Sequence, residues 1–309
     1  MTLEELLRPH AAVTIVGLAK NAGKTTVVNH LLERLDGRIG LASLGLDGEA
    51  RDQLTGLAKP RIAPPAGALV LTTVQLRGQT PMVRELPFRT AAGEVVIVAA
   101  GGGEAVVVSG PTRLDELDEA LGALRTAGAE RLLLEGALGR LGTAAPGRAD
   151  AVVLAAGASV ADGGADLPLR LRLAVDALDL PASEARADVH LAHAAGFEVE
   201  AGAEVGEGAV AEIGGALTGP LLELLLREGR RATLIVADAT RVLAGAQTVA
   251  RARRAGIDLA VRQRVQIAAL TSSPFHPDAD LSPEQAFRAL VDASAGRWPV
   301  YDVVAGMAA

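Results

Sequence analysis

The chain has 309 residues, half of them apolar, with one Trp, one Tyr, four Phe and no cysteine. Its core must be built from Ala, Val, Leu and Ile, a palette that suits parallel strands covered by helices on both faces. The lack of cysteine excludes disulfides, thiolate nucleophiles and Cys-ligated zinc or iron–sulfur clusters together, and a net charge of −7 argues against a general nucleic-acid-binding surface.

Glu4 and Glu5 stand where a secretory signal would carry positive charge. No apolar run approaches the length of a membrane span, so a cytoplasmic protein with no membrane partner is expected. The first strand is predicted over Ala11 to Val16, followed by Gly17-Leu-Ala-Lys-Asn-Ala-Gly-Lys-Thr-Thr26 and a helical pattern through Val27, Val28, Leu31, Leu32 and Leu35, with a stop at Asp36-Gly37. Strand, glycine loop and helix in this order form a phosphate-binding loop. Gly23 lets the backbone close on phosphate oxygens, Lys24 reaches the β- and γ-phosphates, and the Thr25 hydroxyl can coordinate Mg²⁺. Lys20, Asn21, Ala22 and Thr26 complete the expected nucleotide contacts. The loop is a variant, because the usual first glycine position holds Leu18 and the glycine sits one residue earlier, at Gly17.

A second strand is predicted over Arg38 to Leu44, running into Gly45-Leu-Asp-Gly-Glu49, where Asp47 and Glu49 place carboxylates at a strand end. Pro60, Pro64 and Pro65 mark an irregular crossing, and Lys59-Pro-Arg61 reads as an anion contact or a surface turn. Strands follow at 68–73, 94–100 and 104–109, the last two as a hairpin about Gly101-Gly-Gly103. This triple glycine resembles a phosphate loop but lacks a following helix. A helix is expected from a cap at Thr112 to Gly128, with Asp115 in the capping-box position and a solvated acidic face. Arg131 to Gly136 then reads as a buried strand ending in Glu135, and Asp150 to Ala156 as another.

Beyond Gly157 a mostly helical stretch is expected to about 197, then strands at 232–238, 257–261 and 265–270. The turns Asp238-Ala-Thr-Arg241 and Thr271-Ser-Ser-Pro-Phe275 end strands on the edge where ligands collect, the second as a base-recognition candidate. Asp188, His190 and His193 have a possible metal spacing. The fold class expected is an α/β nucleoside triphosphatase fold, a mostly parallel sheet flanked by helices with a β-hairpin insertion. Its halves would be a nucleotide-binding half at 1–160 and a second α/β half at 161–309 that continues the same sheet or forms its own.

Leu132 to Ala137 resembles the second motif of the P-loop subclass containing dethiobiotin synthetase and the nucleotide-dependent metallochaperones, where Glu-Gly follows the strand. The resemblance implies that Glu135 fixes the Mg²⁺ shell or a water, that Asp47 is the switch-loop carboxylate doing the same, and that Lys20 lies one position beyond a lysine that reaches across a dimer. Positioning and charge stabilisation are what phosphoryl transfer mainly asks of a protein. The catalytic set is therefore Lys24, Asp47 and Glu135, and the metal set Thr25, Asp47 and Glu135.

More narrowly, the phosphate loop, Asp47-Gly-Glu49, Leu54-Thr-Gly56 with Lys59-Pro60, Glu135-Gly-Ala-Leu-Gly-Arg140, Asp150 to Ala158, Asp238-Ala-Thr240 and Pro299-Val-Tyr-Asp302 resemble the ATPase-like subunit of the lysine 5,6-aminomutase reactivase. Glu135 stands where that pattern has Asp, and Thr271-Ser-Ser-Pro274 where it has Asn-Pro. The resemblance implies ATP or GTP with Mg²⁺, hydrolysis coupled to exchange of damaged cobalamin on an aminomutase client, and a separate reactivase subunit. Two other readings stay open. One is a small-molecule kinase or ATP-dependent ligase of the dethiobiotin synthetase kind; the other is a nucleotide-gated binding module without turnover.

Overall fold

The computed structural model describes residues 1–47, 60–136, 141–161, 166–276 and 281–309. After a short helix α1 (Leu3–Leu7), whose Thr2 and Glu5 form a capping box, come β1 (Ala12–Gly17), α2 (Lys24–Arg34), β2 (Ile39–Ser43) and a short β3 (Leu46–Asp47). The chain continues through β4 (Leu69–Thr73), β5 (Met82–Thr90), β6 (Gly93–Ala99), β7 (Val108–Ser109), α3 (Leu114–Thr126) and β8 (Arg131–Gly136). A 3-10 turn at Leu141–Ala144 leads to β9 (Ala151–Ala155) and then α4 (Leu167–Asp176). Next are β10 (Val189–Leu191), α5 (Glu198–Glu204), β11 (Ala209–Ile213), β12 (Leu217–Thr218), α6 (Gly219–Arg227), β13 (Ala232–Val236), β14 (Val242–Leu243), α7 (Ala246–Arg254) and β15 (Ile257–Val261). β16 (Ile267–Thr271), α8 (Pro283–Ser294), β17 (Val300–Asp302) and β18 (Met307–Ala308) close the chain.

Two compact units result, one from Met1–Leu167 with Ile267–Ala309, the other from Pro168–Gln266. The sequence placed a single boundary at 160/161. In the structure the second unit is an insertion, and the C-terminal segment, read from the sequence as part of the second half, adds strands to the first unit's sheet.

The first unit is a sheet in the order β18-β17-β16-β9-β1-β8-β2-β4-β6-β5. From β17 to β4 all neighbours are parallel, and antiparallel strands close both ends. β1 and β9 are buried along their whole length, as parallel strands sandwiched between helices must be. One face packs Val13, Ile15, Leu133 and Val153 against Val27, Val28, Leu31 and Leu32 of α2. The other packs Ala12, Leu132 and Leu134 against Leu117, Leu121 and Leu124 of α3. Each such leucine contributes about 1.5–3 kcal/mol by leaving water. The sheet is the mostly parallel, helix-flanked α/β architecture expected.

A hairpin is present, but from other strands than those anticipated. β6 pairs with β4 and β5, while Val108–Ser109 pairs with Leu46–Asp47. Pro87 disguises β5 in the sequence. As the sheet's edge strand it tolerates a residue that cannot donate to a ladder, and Leu86 and Phe88 still turn into the core. α3 also starts differently: Arg113 is its N-cap with no side-chain cap bond, and Asp115, instead of closing a box with Thr112, accepts two hydrogen bonds from Arg113. Those bonds pull its carboxyl down to about 2.

The second unit is a parallel sheet, β10-β11-β13-β15, with buried leucines of α6 and Val249 and Ala252 of α7 in its core. The stretch expected to be helical up to about 197 holds α4, a bridge of Ala182 to Val261 and the strand β10.

Candidate phosphate-binding site

β1 sits where the strand order reverses. Its outgoing connection through α2 runs to β2 on one side, past β8, whereas the chain leaving its other neighbour, β9, returns as β16 on the opposite side. In open α/β sheets ligands settle outside the carboxyl ends of strands at such a point. Residues 18–23 fill it. Asn21 and Gly23 take positive φ, 59° and 90°, which turns successive backbone N–H groups toward one concavity. α2 follows at once, with Gly23 as N-cap, no side-chain cap bond and no acidic residue in its first turn. The N–H groups of Lys24, Thr25 and Thr26 have no helical carbonyl to bond, and the helix dipole favours an anion there.

The displaced glycine has a steric reason. A Cβ on Gly17 would lie 2.9 Å from both Cγ and Cδ of Lys24, so the lysine stem crosses the strand end where only glycine leaves room. Leu18, in the usual glycine position, is buried and donates its N–H to the Ala155 carbonyl at 2.9 Å, which ties the loop to β9.

Glu135 ends β8 in register with Ile15 of β1 and Ser43 of β2. It is 1 % exposed. Its Oε1 accepts a hydrogen bond from the Thr25 hydroxyl at 3.2 Å and lies 4.0 Å from Lys24 Nζ. A carboxylate this deep needs such partners, because removing it from water costs several kcal/mol. Lys24, Thr25 and Glu135, chosen separately from the sequence, thus meet at one point. A hydroxyl and a carboxylate suit Mg²⁺, which takes one or two protein oxygens and completes its shell with phosphate and water, while the ammonium suits the phosphate itself. The chain holds three lysines, Lys20, Lys24 and Lys59. Two stand in this loop of a protein that elsewhere, Lys59 apart, uses arginine, and a compact ammonium suits a phosphate point contact.

Ala22 is buried, Lys20 exposed, and Asn21 and Thr26 half-buried at the loop and first helical turn. Asp47 ends β3 with its backbone paired to Val108; its side chain, with Glu49, Leu54 to Gly56, Lys59 and Ala137 to Arg140, lies outside the described residues. The Thr271 turn reaches the site. Ser273 Cβ would be 3.2 Å from a Cβ on Gly23, and the Ser273 carbonyl accepts from Ala158 N at 2.9 Å. Ser272 donates to Asp302 at 2.9 Å, which fixes the turn.

Asp238 and the Thr271 turn, expected on one sheet edge, belong to different sheets. Asp238 accepts from the backbone and hydroxyl of Thr240, capping its own turn. Asp188 accepts from Val210 N, and His190 faces Glu212 at 3.8 Å. Among the described residues no cluster of three metal-ligating side chains gathers. The sequence reading passed over two residues next to these groups along their elements, Ser43, in register with Glu135, and Asn29, one turn beyond Thr25 on α2.

Comparison with family models, with curated proteins and with solved structures gives no match to this chain. Among the described residues no helix is long and apolar enough to cross a membrane.

Proposed function

We propose that this chain binds a nucleoside triphosphate with Mg²⁺ and hydrolyses it. The observation that carries this is the convergence of Lys24, Thr25 and Glu135 beneath an uncapped helix N-terminus at the switch point of the sheet. Bound Mg²⁺ would supply positive charge to the β- and γ-phosphate oxygens. Thr25 and Glu135 are the groups that would hold it, with Asp47 of β3 added as the resemblance implies. Lys24, whose ammonium lies 4.0 Å from Glu135, would contact the phosphate oxygens. A water oxygen then bonds to the γ-phosphorus as the bond to the bridging oxygen breaks, a proton of that water passes to a γ-phosphate oxygen, and the charge gathering on the leaving diphosphate would face Lys24 and the N–H groups of α2. Glu135 or Asp47 orients that water.

The client proposed is an adenosylcobalamin-dependent aminomutase, with a separate reactivase subunit. This extension rests on the resemblance of the segments around the phosphate loop, Asp47, Glu135 and Tyr301. Turnover would bias the loop carrying Asp47 between two arrangements and so drive exchange of damaged cobalamin.

The test is phosphate release from Mg-ATP and Mg-GTP, measured alone and with an aminomutase inactivated by cyanocobalamin. The expected result is slow release that rises when the inactivated enzyme is added, together with recovery of aminomutase activity. Transfer of phosphate to a metabolite instead of water would replace this reading with a kinase or ligase, and binding without release under any condition with a gated module.

A further inference from the structure

We propose that Asn29 is a positioning residue that couples the phosphate-loop helix to the strand carrying Asp47. The proposal rests on the nucleotide-binding reading above.

Asn29 lies four residues beyond Thr25, on the same face of α2. Its side-chain amide bonds the backbone of an extended segment twice. Nδ2 donates to the Arg61 carbonyl at 2.8 Å, and Oδ1 accepts from Ala63 N at 3.2 Å. Donor and acceptor meet alternate residues, as a neighbouring strand would. Between them Ile62 is fully buried in the core shared with Val27, Val28 and Leu31 of α2, so the segment is fixed by its side chain as well as by its backbone.

The link continues through backbone alone. Ile62 forms an antiparallel bridge with Val106, whose N–H donates to the Ile62 carbonyl at 2.8 Å. Two residues on, Val108 of β7 pairs with Asp47 of β3. The other end of β3 is held from β2. The Ser43 hydroxyl donates to the Gly45 carbonyl at 2.7 Å, and Gly45 exchanges backbone bonds with Gly110 and Pro111. Gly110 has to be glycine, since a Cβ there would fall 1.9 Å from the Ser43 carbonyl. Ser43 is itself in register with Glu135. The strand of Asp47 is therefore held from two sides, by the strand beside Glu135 and by the helix that carries Lys24 and Thr25, and in the second link Asn29 supplies the side-chain hydrogen bonds beside the packing of Ile62. Contiguous hydrogen-bonded elements of this kind carry coupling between sites.

The experiment is the Mg²⁺ dependence of ATP affinity for the intact protein and for Asn29→Ala, Asn29→Asp, Asp47→Asn and Asn29→Ala with Asp47→Asn, each checked for folding by circular dichroism. Loss of two side-chain hydrogen bonds predicts that the Mg²⁺ concentration for half-maximal tightening rises about tenfold in Asn29→Ala. Asn29→Asp, which keeps the acceptor for Ala63 but sets a carboxylate oxygen against the Arg61 carbonyl, should rise at least as much, and ATP affinity without Mg²⁺ should stay unchanged in both. Since Asn29 acts through Asp47, the double variant should be no worse than Asp47→Asn alone. Effects that multiply, or a Mg²⁺ dependence that does not move in either Asn29 variant, would overturn the coupling and leave the phosphate site standing. If the unaltered protein shows no Mg²⁺-dependent ATP binding, the nucleotide-binding reading fails, and this proposal fails with it.

Discussion

Both units are built on α/β sheets of mainly parallel strands with a glycine-bearing turn after a strand, yet among the described residues only the first brings a strand-end carboxylate to the groups of such a turn. In the first unit the turn after β1 opens α2 without a cap, and Glu135 from the next strand over serves Thr25 and Lys24 of that turn. In the second, the turn after β11 carries Gly214 and Gly215 and α6 likewise opens without a side-chain cap bond, but its N-cap Thr218 donates to Glu198 of α5, and Asp238 after β13 caps its own turn. The second sheet also runs β10-β11-β13-β15 without a reversal of order among those strands. Fold class therefore does not mark a ligand edge. The proposed phosphate site rests instead on a strand-end carboxylate shared with the glycine loop of a neighbouring element at a reversal of strand order.

Substitutions can break this contrast. Gly17→Ala puts a methyl group against the Lys24 stem and should weaken Mg-nucleotide binding about tenfold or more. Gly215→Ala, whose nearest neighbours would lie 3.9 Å away, should leave binding as it is; isothermal titration of both variants checks the pair. Asp238→Ala should lower the stability of the second unit by about 1 kcal/mol, as loss of a cap does, and leave nucleotide affinity untouched. Denaturant melts followed by hydrogen exchange would locate the loss.

The smallest effect concerns pH. Hydrogen bonds from Arg262 hold the Glu212 carboxyl below its usual value of 4.5. A lowered carboxyl contributes stability that is present above its unfolded value and lost as pH falls through the folded one. Glu212→Gln should accordingly lower the second unit's stability slightly near neutrality and flatten its acid limb, the two proteins converging once pH has fallen below the folded value. An unchanged acid limb would mean that the pair contributes nothing.

Much of the first unit was legible because its signals are local. The apolar run before Gly17, the helical spacing from Val27 to Leu35 and the carboxylate after Leu134 each depend on a few neighbouring residues, and Lys24, Thr25 and Glu135 do meet. Pairing was less legible, since it is decided at long range. Gly101-Gly-Gly103 looked like a hairpin turn, but Val108 finds its partner at Asp47, and Pro87 hid the strand that pairs with β6. The insertion was invisible for the same reason, as no composition shift announces that β16 returns beside β9. One local signal was simply passed over: Ser282-Pro-Glu-Gln285 is a capping box with proline in the first turn, and it opens α8. Asn29 carried no signal at all. A polar residue on a helix face is ordinary, and only the backbone of Arg61 and Ala63 gives it meaning.

The central claim is that the loop from Gly17 to Thr26 binds the phosphates of a nucleotide through Lys24. Equilibrium binding of Mg-ATP to the intact protein and to Lys24→Ala tests it most directly. Removal of the ammonium from a desolvated charge contact should weaken binding about a hundredfold or more, while Asp238→Ala binds as the intact protein does. Equal affinity in Lys24→Ala and the intact protein would contradict the account.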